Sequence, residues 1–206
     1  MSRQFDELKE IKFRSLPYEQ FFGEMELNEQ EKERYIALAE QFEILFLYFF
    51  MIFIDDESQI EYYQQFICDG YIRIVNDFLN VEQTSAYITE YVNKYSQNFV
   101  DVTYRHQNDT YYTSYDRARL NAENETLTVA NYKDYVNAVK SNKHKKEWIT
   151  MRDERVRSTH IKVDRRQIGI FDVFDVGNSV LGYPRDMTYD PEPQEVINCR
   201  CRLRYS

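Results

Sequence analysis

The sequence predicts an α+β protein, in which an N-terminal helical bundle is followed by a small C-terminal α+β domain. The 206 residues include only five glycines and four prolines, which favours long helices over a sandwich of strands joined by tight turns. Apolar residues recur at steps of three and four in the first half of the chain, whereas alternating, β-branched segments appear only near the C-terminus. We therefore divide the chain into a helical region, residues 1–110, and an α+β domain, residues 111–206.

The longest predicted helix covers residues 26–54, and its second half, residues 44–54, is almost entirely apolar. A helix that is apolar all round must be covered on all sides. Either neighbouring helices surround this segment as a core, or part of it is a surface for a partner subunit, and the sequence leaves both possibilities open. The apolar run is shorter than a bilayer-spanning helix, which needs about twenty residues, so no membrane contact is expected.

The later elements are predicted from the same patterns. Asp56 or Ser58 is expected to cap the helix that follows the apolar segment. After a polar loop around residues 106–110, the periodicity returns to helix and then changes to alternation. Helices are predicted over residues 58–79, from Ile88 to about Tyr104 and over residues 114–140, and strands over residues 147–151 and 196–205.

Charge is distributed unevenly along the chain. The formal net charge is −9, yet residues 1–139 hold 12 Lys and Arg against 25 Asp and Glu, whereas residues 140–166 hold 10 against 4. An acidic surface repels phosphate, so the whole protein is not expected to coat DNA or a membrane. The basic segment 140–166 is a candidate contact for DNA or for an acidic partner.

Cysteine content indicates the compartment of synthesis. Cys68, Cys199 and Cys201 are too few and too unevenly spaced for a disulfide framework. Residues 1–6 lack the apolar stretch of a secretory signal. We expect synthesis in a reducing cytoplasm.

The most informative pattern is an ordered series of short motifs in the C-terminal part. The series begins with Ala122-Glu123-Asn124-Glu125-Thr126 on a predicted helix and Trp148 on a predicted strand. It continues with Asp153-Glu154-Arg155-Val156-Arg157-Ser158-Thr159-His160, then Pro184-Arg185-Asp186, and it ends with Glu195-Val196-Ile197-Asn198-Cys199-Arg200-Cys201. In this order the blocks resemble those of the phage Mu F-like minor head proteins, also described as the phage head morphogenesis family, over about residues 115–206.

The resemblance implies a structural role in the head of a tailed phage or prophage. Proteins of this kind enter the head at the portal vertex and support head assembly and genome delivery, so the expected partners are the portal protein and other head proteins. The expected location is the virion, after synthesis in the host cytoplasm, and phage DNA is a possible contact for the basic segment. The residues that carry the motif are expected to define the fold rather than a reaction: Glu125, Trp148, Asp153, Arg155, Arg157, His160, Pro184, Asp186, Asn198, Cys199, Arg200 and Cys201.

The histidine and the two late cysteines are the candidates for a metal site. Zinc takes such ligands, but its structural sites usually have cysteines two to four residues apart. If Cys199 and Cys201 lie on one face of a strand, their sulfurs project in parallel about 7 Å apart, too far for one ion unless a bulge intervenes. We therefore expect no metal and no cofactor, and interpret both thiols as buried packing groups, with zinc at His160, Cys199 and Cys201 as the alternative.

The remaining motif residues allow further interpretations. Strand alternation would send Arg200, Arg202 and Arg204 to the opposite face, as a basic stripe that is solvated or paired with carboxylates, or that contacts phosphate or an acidic partner. Asp153, Arg155 and His160 are expected to form a hydrogen-bonded network that fixes a turn. No catalytic residue is expected. The alternatives to a head protein are a DNA- or zinc-binding module and an enzyme- or toxin-associated domain of the same family.

Overall fold

A computed structural model describes residues 15–56 and 58–206, with side chains from Tyr18 onward except that of Asp55. The chain folds as two compact units, of which the first ends at Thr126 and the second is Leu127–Ser206. The predicted α+β class is confirmed. The domain boundary expected after residue 110 stays a prediction, and the opening residues on which the absence of a secretory signal was argued lie outside the described residues.

The first unit consists of helices. Their bounds are α1 Ser15–Gly23, α2 Glu29–Asp55, α3 Ile60–Leu79, α4 Ala86–Arg105, a short 3₁₀ turn Thr110–Thr113, and the first part of α5 Tyr115–Lys140. Helices α2 to α5 lie where the apolar periodicity predicted them, whereas α1 and the 3₁₀ turn were not predicted. Helix α2 begins later than expected because Asn28 and Glu31 form a capping box, each side chain bonding the other residue's backbone N–H. The predicted cap of α3 is wrong. Gln59 precedes that helix without a side-chain cap, and Asp56 bonds Ser58 and Gln59 instead.

The apolar half of α2 is largely core. Phe46, Phe49, Phe50 and Phe53 are at most 2 % exposed and meet aromatic rings of α3 and α4, for example with 4.8 Å between the centroids of Phe46 and Phe99. Part of the segment lies on the surface of the described residues, so the choice between a core helix and a surface for a partner subunit stays open. Ile44, Tyr48 and Ile54 remain 47, 38 and 61 % exposed.

Helix α2 also has the length and composition of a membrane-crossing segment. The stretch with these properties lies within Glu29–Ile54, and it is longer than the apolar run, residues 44–54, considered from the sequence. In this stretch 56 % of the residues are buried inside the protein, as in a core helix packed among neighbours. The absence of a membrane partner therefore stays a prediction.

The second unit is a small sheet with short helices and a hairpin. Strands β1 Lys145–Ile149, β2 Gln167–Gly169 and β5 Arg202–Tyr205 form an antiparallel sheet in the order β2-β1-β5, with Trp148 paired to Leu203. Strands β3 Phe174–Val176 and β4 Ser179–Leu181 form the hairpin. The short helices are α6 Ser158–Ile161 and α7 Pro193–Val196. Trp148 is fully buried in the core of this unit, with its ring 5.1 Å from that of Phe174.

The last predicted strand is much shorter than the alternation suggested. Residues 193–196 are helical, Asn198 adopts a left-handed conformation with φ 55°, and the strand begins only at Arg202. Asparagine is one of the few non-glycine residues that occupy this region readily. Cys199 and Cys201 consequently lie in an irregular segment between a turn and a strand, which changes the geometry of both side chains.

Candidate functional site

A buried histidine lies at the centre of the candidate site. His160 is on helix α6, which begins directly after the extended Arg157, and its ring packs edge-on against Trp148 with 5.8 Å between the ring centroids. The side chain is only 1 % exposed. Both ring nitrogens face polar groups of the second unit, one on each side of the ring.

Glu195 contacts Nε2 of this ring. Its Oε2 lies 3.1 Å from His160 Nε2 and accepts a hydrogen bond of 2.8 Å from Thr159 Oγ1. Glu195 is 2 % exposed, and its two polar partners replace the hydrogen bonds to water that burial removes. Gly177 makes room for it, because a Cβ at that position would lie 2.5 Å from Glu195 Oε1. The contact fixes the orientation of the imidazole.

The sulfurs of Cys199 and Cys201 contact Nδ1 of the ring. Cys201 Sγ lies 3.3 Å and Cys199 Sγ 3.6 Å from His160 Nδ1, and the three atoms all lie within 4.8 Å of one another. The expected parallel arrangement with about 7 Å between the sulfurs is therefore wrong. The left-handed turn at Asn198 replaces the regular strand that the expectation assumed. Both thiols are buried, as predicted.

Proximity of the three groups changes their proton affinities. A hydrogen bond from the Cys201 thiol and the adjacent imidazole hold the pKa of Cys199 well below its usual value, against the effect of burial. The same hydrogen bond and burial raise the pKa of Cys201 well above its usual value. Burial alone lowers the pKa of His160, but the hydrogen bond and charge of Cys199 outweigh it, so the net shift is upward. The trio thus stabilises negative charge on the Cys199 sulfur.

A small cavity adjoins the trio. Its volume is about 10 Å³, close to that needed for a single water molecule. His160, Cys199 and Cys201 line it together with other residues, among them Arg155 and Arg157. The chemistry available here is therefore two sulfur donors and one nitrogen donor beside one water-sized space.

Asp153 belongs to a separate ion pair instead of the expected network with His160. Arg200 Nη2 donates to both carboxylate oxygens of Asp153, at 2.8 and 2.7 Å, and the Arg155 backbone N–H donates to the same carboxylate. These bonds hold the pKa of Asp153 below its usual value, although burial acts in the opposite direction. Arg157 donates to the carbonyl oxygen of Ile197.

Two arginines of the expected basic stripe are paired with carboxylates, which is one of the interpretations made from the sequence. The Arg200 side chain is only 10 % exposed and is paired with Asp153. Arg204 lies 3.6 Å from Glu147 on the neighbouring strand β1. Their charges are compensated within the second unit, because Arg200 precedes the strand and Arg204 faces an acidic neighbour.

Other motif residues have partners of their own. Glu125 belongs to the first unit, where it accepts hydrogen bonds of 2.7 and 2.6 Å from Tyr71 and Tyr91. Asp186 closes the turn around the buried Pro184, accepting 3.0 and 2.9 Å bonds from the backbone N–H groups of Gly182 and Thr188. Glu125 thus joins side chains of the first unit, whereas Asp186 stabilises a turn of the second unit.

Sequence reasoning missed two buried charged residues of the second unit. Glu195 is the first residue of the last motif block. Its presence in a small domain that also holds a buried histidine was the signal available in the sequence. Lys146 gave no signal, since it looked like one member of a basic segment. It is 1 % exposed, donates a 2.7 Å bond to the Gly182 carbonyl, and its pKa is lowered by burial to about 8.

Comparison with known proteins supports the resemblance seen in the motifs. A family model described as "Phage Mu protein F like protein" matches residues 86–204, more than half of the chain. The chain belongs to the phage Mu protein F like family. No curated protein and no solved structure matches it. The Mu F-like family is one of structural phage head proteins, so the chain is assigned to the phage head.

Proposed function

We propose that this Mu F-like protein is a minor head protein that binds the portal vertex and supports head assembly and genome delivery. Family membership supports the head assignment. The mechanism is binding to other head proteins, above all the portal protein, rather than turnover of a substrate. The protein is accordingly incorporated into the virion.

The observation that carries this proposal is that the family motif residues bond to one another inside the fold. Asp153 pairs with Arg200, Arg157 donates to the backbone at Ile197, and Asp186 closes its own turn. Groups engaged in this way stabilise a scaffold, which is the requirement of a protein that acts through its surface. Surface positions outside the motifs are then the ones that contact partners.

The first unit offers an apolar surface for such a contact. Ile44 and Tyr48 lie one turn apart on α2, and Tyr62 and Phe66 lie one turn apart on α3. The rings of Tyr48 and Phe66 are 5.5 Å apart, and Ile44, Tyr48 and Tyr62 are 47, 38 and 57 % exposed. We call these four residues the α2–α3 apolar face. Apolar residues grouped on a surface are typical of protein interfaces.

Co-expression with the portal protein of the same phage tests the proposal. Affinity purification of the portal followed by native mass measurement is expected to give a stable complex that contains this chain. The double variant Ile44→Asp with Tyr48→Asp is expected to fold and to lose the complex, since two charges then oppose burial of the face. Tyr104→Asp is the matched control, because Tyr104 is a similarly exposed aromatic residue, at 43 %, on helix α4.

The two parts of the proposal have distinct contrary results. A monomer that never copurifies with the portal contradicts portal binding. A complex that survives the double variant and is lost with Tyr104→Asp contradicts the α2–α3 apolar face as the contact, while portal binding itself stands.

A further inference from the structure

We propose that His160, Cys199 and Cys201 bind one Zn²⁺ ion, through Nδ1 of the histidine and the two cysteine sulfurs, with a fourth position open to water. This site is distinct from the surface proposed to bind the portal. It lies wholly within the second unit.

The two nitrogen–sulfur distances are close to those of a tetrahedral site. Zinc binds sulfur at about 2.3 Å and imidazole nitrogen at about 2.0 Å, so neighbouring donors of one tetrahedron lie about 3.4–3.8 Å apart. The separations of His160 Nδ1 from the two sulfurs, 3.3 and 3.6 Å, are close to this range, and the sulfurs lie within 4.8 Å of each other. An ion fits between the three atoms with little movement of the side chains.

Glu195 prepares the histidine to be a ligand. An imidazole that donates its Nε2 proton to a carboxylate presents a bare lone pair at Nδ1, and Nδ1 is the atom that faces both sulfurs. The carboxylate is itself positioned by Thr159 and by the space above Gly177. A carboxylate behind a histidine ligand is the usual second layer of zinc sites in proteins.

The surroundings suit a dication bound to two thiolates. Zn²⁺ with two Cys thiolates and a neutral His carries no net charge, so the complex can be buried next to Arg155 and Arg157. Trp148 Nε1, a buried donor with no hydrogen-bond acceptor at ordinary geometry, lies near Cys201. Such a donor is satisfied when the nearby sulfur becomes an anion.

The fourth position follows from the cavity. The space of about 10 Å³ beside the three donors is close to the volume that one water molecule needs. Among the described residues no further histidine, cysteine or carboxylate lines this space, whose other lining residues include Met151, Asn198 and three arginines. Three protein ligands with one exchangeable water is the arrangement of an open zinc site.

The test is metal analysis of the whole chain purified without chelators from zinc-supplemented bacteria. We expect about one zinc per chain by mass spectrometry of metals. After removal of the zinc, addition of Co²⁺ is expected to produce thiolate-to-cobalt charge-transfer absorption and the visible bands of tetrahedral cobalt. The cobalt spectrum needs no variant and therefore does not depend on whether substitutions at the site fold.

Variants then identify the ligands. Cys199→Ser and Cys201→Ser are expected to reduce bound zinc to background, whereas Cys68→Ser, which removes the buried cysteine of the first unit, should retain it. Glu195→Gln is expected to weaken zinc binding by about 10-fold, since the amide is a poorer acceptor for the histidine N–H. A wild-type chain that holds no zinc and gives no thiolate–cobalt absorption overturns the proposal, as does full zinc retention in both late cysteine variants.

Discussion

Individual residues in unusual backbone conformations assemble the candidate site. Asn198 at φ 55° turns the chain so that Cys199 and Cys201 converge, and Gly177 at φ 62° leaves room for Glu195 behind the histidine. Neither position is recognisable from hydrophobic periodicity, which reports faces of helices and strands. The arrangement therefore depends on local conformations at a few residues.

Replacement of Gly177 is expected to destabilise the second unit. Gly177→Ala places a Cβ in the left-handed region and 2.5 Å from Glu195 Oε1, so the free energy of unfolding should fall by about 2 kcal/mol. Urea unfolding monitored by Trp148 fluorescence measures the loss. Gly23→Ala is the control, since its new Cβ would meet nothing nearer than Lys32 Nζ at 3.8 Å, and an equal loss in both variants would contradict the explanation.

Lys146 is expected to make stability depend on alkaline pH. Burial lowers its pKa from 10.5 to about 8, although Asp186 and Asp172 act in the opposite direction. Between these pH values the unfolded chain binds more protons than the folded one, so the contribution of this residue to stability rises with pH from about 8 towards 10.5. Between pH 7.5 and 9.5 the free energy of unfolding of the wild type should rise by about 1–2 kcal/mol relative to that of Lys146→Met.

Chemical unfolding at several pH values tests this expectation. Lys145→Met is the control, because Lys145 is exposed on the same strand. A wild type that shows no gain over Lys146→Met, or the same gain over both variants, would contradict a buried cation at this position.

At the scale of elements, a close contact between two helices of the first unit involves a glycine. Gly70 on α3 faces Leu45 on α2, and a Cβ at Gly70 would lie 2.4 Å from Leu45 Cδ1. Ordinarily alanine stabilises a helix interior relative to glycine by about 1 kcal/mol. Here the close approach of the two helices is expected to reverse that sign.

Gly70→Ala should therefore lower the free energy of unfolding by about 1–2 kcal/mol, because the Leu45 side chain must leave its position. The double variant with Leu45→Ala tests the cause. If the clash is responsible, Gly70→Ala costs less in the Leu45→Ala background, and thermal unfolding of the four proteins shows the coupling. Additive effects would contradict the contact.

Long helices were predictable from the sequence, whereas the last strand was not. Helices α2 to α5 bury apolar residues with a regular period, and this pattern survives small errors at the ends. Val196 to Tyr205 alternates like a strand, but α7 and Asn198 interrupt it. Alternation in a short segment reports which side chains are buried, and it does not distinguish a strand from an extended turn.

At the scale of the molecule, the basic segment is less available than its composition suggests. Lys146 is buried, and Arg152, Arg155 and Arg165 lie within 4.0 Å of carboxylates of the same unit. The net charge of the chain is −9. Folding thus compensates part of the local positive charge that made DNA a possible contact.

We expect weak binding of the whole chain to duplex DNA. A plot of the logarithm of the binding constant against the logarithm of the salt concentration should have a slope shallower than about −2, since few phosphates can be neutralised. Fluorescence anisotropy at several salt concentrations measures the slope. Lys143→Ala with Lys145→Ala removes two exposed cations as a control, and a steep slope that this double variant abolishes would favour DNA contact.

The family could be recognised from the sequence, but the donor geometry of the candidate site could not. The blocks around Trp148, His160 and Cys199 keep their order in the chain, and the family match includes all of them. Their spacing says little about distance, because His160 and Cys199 are far apart in sequence and meet only through the fold. Strand geometry at the cysteines led to the wrong separation.

The left-handed turn at Asn198 also limits how this protein can change by mutation. No single-base change converts an asparagine codon into a glycine codon. Among the replacements that single-base changes do reach, aspartate and histidine occupy positive φ most readily, whereas isoleucine and threonine do so poorly. A phage lineage that drifts one base at a time therefore leaves asparagine here with the least backbone strain through aspartate or histidine.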